Sequence, residues 1–235
     1  MPMSLNAELE LELKNRGADW LSFVDISHLS IDQTKGYRSA ILIGLVLSPE
    51  YLQKVTDTSD YVREMIRCKR IHEDEFHLKE LQADQLADYL AHYLTQKGYP
   101  AYSQSEDSIY LTGFYNEKTK STPLPHKTIA RLAGLGWIGK HNLLVTPEYG
   151  SAICMCTVLT DAPITTHSVE VPLSAQCGAC GICQVICADH AIKGKAWDVT
   201  TSRDGVVDVY KCTTCFKCVV HCPWTQKYIR KNGGH

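Results

Sequence analysis

Cys177-Gly178-Ala179-Cys180-Gly181-Ile182-Cys183-Gln184-Val185-Ile186-Cys187 is the stretch that decides how this chain reads. Its cysteines follow the spacing C-x2-C-x2-C-x3-C. The same spacing returns at Cys212, Cys215, Cys218 and Cys222, where Pro223 follows. Eight of the chain's 11 cysteines therefore lie between Cys177 and Cys222. Thiols at that density serve either a disulfide framework or metal. An odd total fits a fully paired disulfide set poorly. The opening MPMSLNAELELELKNRG carries acidic residues and lacks the apolar run of a secretory leader. A cytoplasmic location is expected, where thiols stay reduced and bind metal instead of pairing.

The repeated spacing resembles that of bacterial two-cluster ferredoxins. There, three close cysteines wrap one iron–sulfur cubane, and the fourth, three residues further on, ligates the other cluster. By that pattern Cys177, Cys180, Cys183 and Cys222 hold one 4Fe–4S cluster, and Cys212, Cys215, Cys218 and Cys187 hold the second. Structural zinc is the competing use. It takes four ligands and commonly draws on two separated pairs, whereas two runs of identical spacing suit two clusters. The first run ends Cys187-Ala188 and lacks the proline that follows Cys222. That proline shapes a turn and donates no ligand.

Around this region the chain is ordinary. It has 235 residues, a net charge of −2, 44% hydrophobic and 21% charged residues. Those values exclude general disorder and a strongly basic whole-chain surface of the kind that wraps nucleic acid. No run of about 18 apolar residues is present, so no transmembrane helix is expected. Pro163, His167 and Pro172 mark a linker. The expected division is a mixed α/β domain over 1–165 and a cluster domain over 166–235.

Within 1–165, Leu5, Leu9 and Leu13 repeat at helical spacing ahead of Gly17. Residues 37–48 are continuously apolar, as in a buried strand. Ser48-Pro49-Glu50 has the form of a helix start. Asp60 to Lys97 reads as one long helix with an apolar stripe at Leu86, Leu90, Tyr93 and Leu94. Residues 100–113 read as a strand pair turning at Ser105-Glu106-Asp107. Pro125 opens a short helix that Gly134 closes, and strands are expected over 142–146 and 151–159. Cys154 and Cys156 then share one strand face, either as a redox pair or as two small buried side chains. Cys68 is expected to be structural. His72 and His77 are five apart and miss a common helix face, which argues against a metal pair. His221 beside Cys222 either tunes the neighbouring cluster or is solvated.

The glycines at 134, 136 and 139 bracket Trp137 and precede Lys140. On physical grounds they read in two ways. Either the backbone approaches a large ligand, with Trp137 over a flat face and Lys140 on an anion, or this is a glycine-rich turn from helix to strand. The glycines follow a helix, so a dinucleotide fingerprint is not indicated.

The run AGLGWIGKHNLLVTPEYGS (133–151), then Leu159-Thr160-Asp161-Ala162-Pro163 and the double cysteine motif, resembles the epoxyqueuosine reductase family, which is related to the corrinoid reductive dehalogenases. The resemblance implies an α+β chain, with a nitroreductase-like α/β domain followed by a double-cluster ferredoxin-like domain. It implies an anaerobic oxidoreductase whose clusters pass electrons to cobalamin, with FMN as the other cofactor such a fold accepts. By the same resemblance Gly134, Gly136, Trp137, Gly139, Lys140, Asn142 and Ser151 are the cofactor-pocket candidates. The expected partners are a low-potential electron donor of ferredoxin or flavodoxin type and a small-molecule or corrinoid-protein substrate. A carrier that reduces another protein's corrinoid or flavin is the non-catalytic alternative.

Two departures from the family pattern matter. Its catalytic aspartate falls at Lys120, and no Asp or Glu occurs from Lys118 to Pro147. An epoxide oxygen leaves only with a proton, and His126 is the nearest conventional donor, its other reading being a helix-start residue on backbone or solvent. The chain also stops 13 residues after Cys222, in a short basic tail, without the family's C-terminal helical extension. Both departures count against a tRNA substrate.

Overall fold

The computed structural model describes residues 3–233. Its elements are α1 (Leu5–Asn15), β1 (Trp20–Asp25), α2 (Ile31–Thr34), β2 (Ser39–Val46), α3 (Pro49–Asp57), α4 (Tyr61–Arg67), α5 (Glu75–Gln96), β3 (Ala101–Ser103), α6 (Glu106–Leu111), α7 (His126–Leu132), β4 (Trp137–Ile138), β5 (Leu144–Val145), β6 (Ile153–Thr160), α8 (Ile182–Val185), α9 (Arg203–Val206), α10 (Lys217–Val220) and α11 (Pro223–Asn232). The fold is mixed α/β. No helix among the described residues is long and apolar enough to cross a membrane.

The chain packs as two compact units that interleave in sequence. One comprises the chain up to Leu45, Lys79–Gly134 and Cys154–Val171. The other comprises Val46–Leu78, Leu135–Ile153 and the chain from Pro172 onward. A single cut near residue 165 does not describe this division. Its last crossing lies at 171/172, and two stretches from the first two-thirds of the chain pack with the cysteine-rich segment.

In the first unit, a four-stranded sheet runs in the order β1-β2-β6-β3. β2 is the apolar run, and Ala40, Ile41, Leu42, Ile43 and Leu45 are fully buried. A strand buried on both faces needs no polar alternation. β1 pairs with it antiparallel, Trp20 opposite Gly44. Gly44 has no room for a side chain, because a Cβ there would stand 2.0 Å from the Trp20 ring. Leu9 and Leu13 of α1, and Leu86, Ala87, Leu90 and Leu94 of α5, are buried as the stripes require.

In the second unit, Ser48 caps α3 by accepting from the Tyr51 N–H, with Pro49 in the first turn. α11 buries Thr225, Tyr228 and Ile229, and the Tyr228 hydroxyl donates to the Leu47 carbonyl at 3.1 Å. The basic tail is thus a packed helix whose Lys227, Arg230 and Lys231 face outward.

Two expected elements differ. The long helix over 60–97 is broken: α4 ends at Arg67, a short 3-10 turn covers Ile71–Glu73, and α5 starts at Glu75. Lys69 at φ 55 takes the chain out of the helix, and the Asp74 carboxylate accepts from the Phe76 N–H. The strand pair at 100–113 is one strand and one helix. Ser105 accepts from the Ser108 N–H and starts α6, a capping role that competes with turn formation for the same residue type.

Candidate functional site

None of the 11 cysteines forms a disulfide. Cys183 sits in α8, Cys187 just beyond it, Cys218 in α10, and Cys222 is the N-cap of α11. The chain between these cysteines turns tightly. The Cys180 N–H donates to the Cys177 carbonyl at 2.9 Å, and Gly178 takes φ 48. Thr214 and Phe216 also hold positive φ, at 53 and 67. A β-branched or aromatic residue adopts that conformation only where its surroundings impose it.

The thiols influence one another in two sets. Cys183 is pushed up to about 11, first by burial and then by the charges of Cys177, Cys222 and Cys180. Cys218 is pushed up by burial and then by Cys215, Cys212, Cys183 and Cys187. Cys222, from the second run, feels Cys177 and Cys180 of the first. Cys222 thus acts on the first run and Cys187 on Cys218 of the second, with Cys183 felt in both sets. Cys183 and Cys187 pack with Ala191, Ile192 and Val207, and Cys218 lies against that cluster. Burial in this shell raises the Cys183 and Cys218 thiols, while bound metal would draw them to thiolate. Among the described residues, no three His, Cys, Asp or Glu groups gather closely enough for one metal ion. Four thiolates on one zinc stand about 3.8 Å apart, since each Zn–S bond is about 2.3 Å. A cubane also takes four thiolates, with its ligands spread wider.

The first loop is tied down by Lys140, whose Nζ donates to the Gly178 carbonyl at 2.9 Å and the Cys180 carbonyl at 2.8 Å. The second is gripped differently. Arg63 of α4 donates to Asp189 at 2.6 Å and to the Thr213 hydroxyl at 3.0 Å. The Thr213 hydroxyl donates to the same carboxylate at 2.6 Å. Asp189 is held below the usual carboxylate range, first by Thr213 and then by Arg63. Asp60, the N-cap of α4, pairs with Lys217 at 2.7 Å. Phe216 lies 4.6 Å from Phe76 and 6.2 Å from Tyr51, ring centroid to ring centroid. A cleft of about 260 Å³ opens beside Cys215, lined by Val55, Tyr61, Ile186, Lys217 and His221.

The residues expected to cradle a cofactor are engaged by protein. A Cβ on Gly134 would stand 2.7 Å from Val169, one on Gly136 2.0 Å from the Val145 carbonyl oxygen, and one on Gly139 2.8 Å from the His141 ring. These glycines make room for the chain's own turn from helix to strand. Trp137 is 2% exposed and meets Trp224 edge-on, centroids 4.9 Å apart. Its Nε1–H is buried without a partner among the described residues. Asn142 takes φ 65 in the turn that its N–H closes onto the Gly139 carbonyl at 2.8 Å. Ser151 donates to the Leu144 carbonyl at 2.7 Å and lies 3.3 Å from His141 Nε2. The Leu143 N–H donates to His141 Nδ1 at 3.2 Å, which leaves Nε2 to carry the proton toward Ser151. His141, buried at the centre of this chain of bonds, carried no signal in the sequence.

His126 is no better placed as an acid. It begins α7, its Nδ1 stands 2.9 Å from the Thr157 hydroxyl, and desolvation pushes its pKa down to about 4. At neutral pH it is an uncharged imidazole and not the imidazolium donor expected from sequence. Lys120 sits at φ 49 in a loop closed by the bridge between Asn116 and Ser121. Cys154 and Cys156 are both buried. The Cys156 thiol is pushed well up by burial and then by the Asp84 carboxylate, so it is inert as a nucleophile. Cys68 is exposed and donates to Glu64 at 3.3 Å. His72 lies in the 3-10 turn and His77 in α5, on separate elements.

No family model matches the chain. Curated relatives do. The chain is 29% identical to an epoxyqueuosine reductase of Vibrio cholerae over 136 residues, 48% of this chain and 34% of that protein. It is 42% identical to one from Synechococcus over 73 residues, 31% of this chain and 22% of that protein. The match thus spans about a third or less of these relatives' length. Among solved structures, an epoxyqueuosine reductase with an epoxyqueuosine-modified tRNA stem loop superposes with TM-score 0.52 at 16% identity, covering 94% of this chain and 65% of that one. A reductive dehalogenase described in terms of B12-dependent dehalogenation superposes with TM-score 0.64 at 18% identity, covering 97% of this chain and 33% of that one. Over part of its length, then, the chain is similar in sequence to epoxyqueuosine reductases, and its fold is similar to those of an epoxyqueuosine reductase and a reductive dehalogenase.

Proposed function

We propose that this chain is an iron–sulfur oxidoreductase that passes single electrons through two 4Fe–4S clusters to a cofactor for a reductive reaction. The observation that supports the reading is the nearness of the cysteines in two groups, with Cys222 acting on Cys183 alongside Cys177 and Cys180, and Cys187 acting on Cys218 alongside Cys212 and Cys215. The eight cysteines would supply the thiolates. Lys140 and Arg63 hold their loops, and Ala191, Ile192 and Val207 keep water from the cluster face. Cobalamin is the preferred terminal cofactor because the related dehalogenase is B12-dependent. When bound, it would supply a cobalt centre that accepts electrons one at a time. The seven residues first expected to cradle it are committed to protein contacts, so no ligand to it is assigned and no step is routed through it.

Residues 166–235 carry 8 Lys and Arg against 5 Asp and Glu, whereas 1–165 carry 16 against 21. That local excess of cations suits an acidic low-potential donor of ferredoxin or flavodoxin type. The substrate is a small molecule or a corrinoid protein. A tRNA is disfavoured, because the residue aligned with the relatives' acid is Lys120 and His126 is held neutral. A second reading keeps the clusters and drops catalysis, making the chain a carrier that reduces a partner's corrinoid or flavin. It is favoured by the engagement of Gly136, Lys140 and Ser151 within the protein.

The visible spectrum of the anaerobically purified chain, before and after adding hydroxocobalamin or FMN, separates these readings. About one equivalent of bound cobalamin supports the reductase. Bound FMN replaces its cofactor. Binding of neither leaves the carrier.

A further inference from the structure

We propose that Lys140 is a positioning residue for the first cysteine loop and sets the potential of the cluster that this loop carries. The inference rests on the reading of Cys177, Cys180, Cys183 and Cys222 as ligands of one 4Fe–4S cluster. Lys140 lies 38 and 40 positions from the two carbonyls it meets, those of Gly178 and Cys180. The loop it holds is otherwise open. Nothing stands within 4 Å of a Cβ built on Gly178 or on Gly181, and within Cys177–Cys180 the described backbone contributes the turn bond from Cys180 to Cys177. The ammonium spans that turn at its second and fourth residues.

Lys140 itself is anchored. It follows β4, which pairs with β5 antiparallel, and Gly139 before it donates to the Leu143 carbonyl at 2.9 Å. The Gly139 Cα is wedged so closely on His141 and Val145 that a Cβ would come within 2.9 Å of both. The lysine stem therefore leaves a rigid hairpin, and a cation arrives at the loop with little left to order.

Electrostatics gives the consequence. Reduction adds one electron and one negative charge to the cluster, and nothing else changes in the balance. A fixed cation in the ligand loop lowers the energy of the reduced form more than that of the oxidised form, raising the potential. Lysine carries this as a point charge with three donors, two of which are accounted for by the two carbonyls.

The test uses the full chain, reconstituted anaerobically, as wild type, Lys140→Met, Lys140→Gln and Lys140→Arg. Iron per chain is measured first, then each cluster's potential by a redox titration followed by electron paramagnetic resonance. Expected in Lys140→Met and Lys140→Gln is a shift of one cluster to more negative potential. The reduction equilibrium should change about tenfold, equivalent to 59 mV for one electron, with the second cluster unmoved and Lys140→Arg near wild type. If Lys140→Met loses about four irons and Lys140→Arg keeps them, positioning is supported, and Lys140→Gln then reads the charge. Unchanged potentials in Lys140→Gln or Lys140→Met with full iron overturn the proposal, as does an equal shift of both clusters. A wild-type chain without about eight irons fails the cluster reading instead, so the two failures are distinct.

Discussion

The two cysteine loops have one spacing and two kinds of support. The first is held by Lys140, which arrives from the β4–β5 hairpin, over a turn with open space at Gly178 and Gly181. The second is fastened by the Arg63–Asp189–Thr213 contacts, by the Asp60–Lys217 pair and by Phe216 against Tyr51 and Phe76. Identical motifs thus depend on different stretches of distant chain, and their sensitivity to mutation differs accordingly. The Arg63–Asp189–Thr213 contacts also join the end of the first run to the start of the second, so they brace the segment carrying Cys187. Cys222 is braced through α11.

That last brace gives the largest expected effect. Gly150 has φ +60, and a Cβ on it would stand 2.3 Å from the Thr225 nitrogen and 2.5 Å from its Cα. Gly150→Ala collides with rigid backbone three residues past Cys222 and should cost more than about 3 kcal/mol. A denaturant midpoint measures it, and the first cluster should be the one lost in chelator.

Acid should act through a different group. His126 binds its proton at about 4 in the folded chain and near 6.5 when unfolded. Below 6.5 the unfolded chain takes up a proton that the folded one refuses. The stability held above 6.5 is therefore lost as pH falls toward 4, by up to about 3 kcal/mol. His126→Gln should flatten the midpoint's pH dependence in that window and leave cluster content unchanged. An unaltered slope would place the acid sensitivity in another group.

Asp189→Ala strips Arg63 and Thr213 of their common acceptor. Arg63 is partly exposed, its side chain at 32%, so the cost should be near 2 kcal/mol. The second cluster should leave faster than the first in a chelator chase. Lys140→Met should lower stability by less than about 1 kcal/mol, because a partly exposed cation contributes little, while reversing that order of cluster loss. Equal loss rates in both variants would erase the distinction between the loops.

Much of this was legible in sequence because short-range chemistry specified it. Leu9 and Leu13, the Ser48-Pro49 start, the apolar run of β2 and the paired cysteine spacing are patterns in which neighbouring residues speak for one another. The break after Arg67 was not legible, since Lys69 in the left-handed region has no compositional mark. Ser105 fits a turn and a helix cap equally, and the choice went to the cap. The glycines at 134, 136 and 139 announced a close approach without naming what approaches, and Val169, Val145 and His141 fill the space. Lys140 was noticed for its charge, but its partners lie 38 and 40 residues downstream, beyond any local pattern. Arg63 carries no local mark either, since its partners Asp189 and Thr213 lie 126 and 150 residues away.

The exchange of ligands between the two runs is the central claim, and iron counting in two serine variants tests it most directly. Cys222→Ser lies in the second run and Cys187→Ser in the first. The expected result is that each variant keeps about four of about eight irons. In Cys222→Ser the surviving signal should shift with Asp189→Ala and ignore Lys140→Met, and in Cys187→Ser the reverse. A Cys222→Ser protein whose remaining cluster responds to Lys140→Met would mean that each run binds its own cluster, contradicting the exchange.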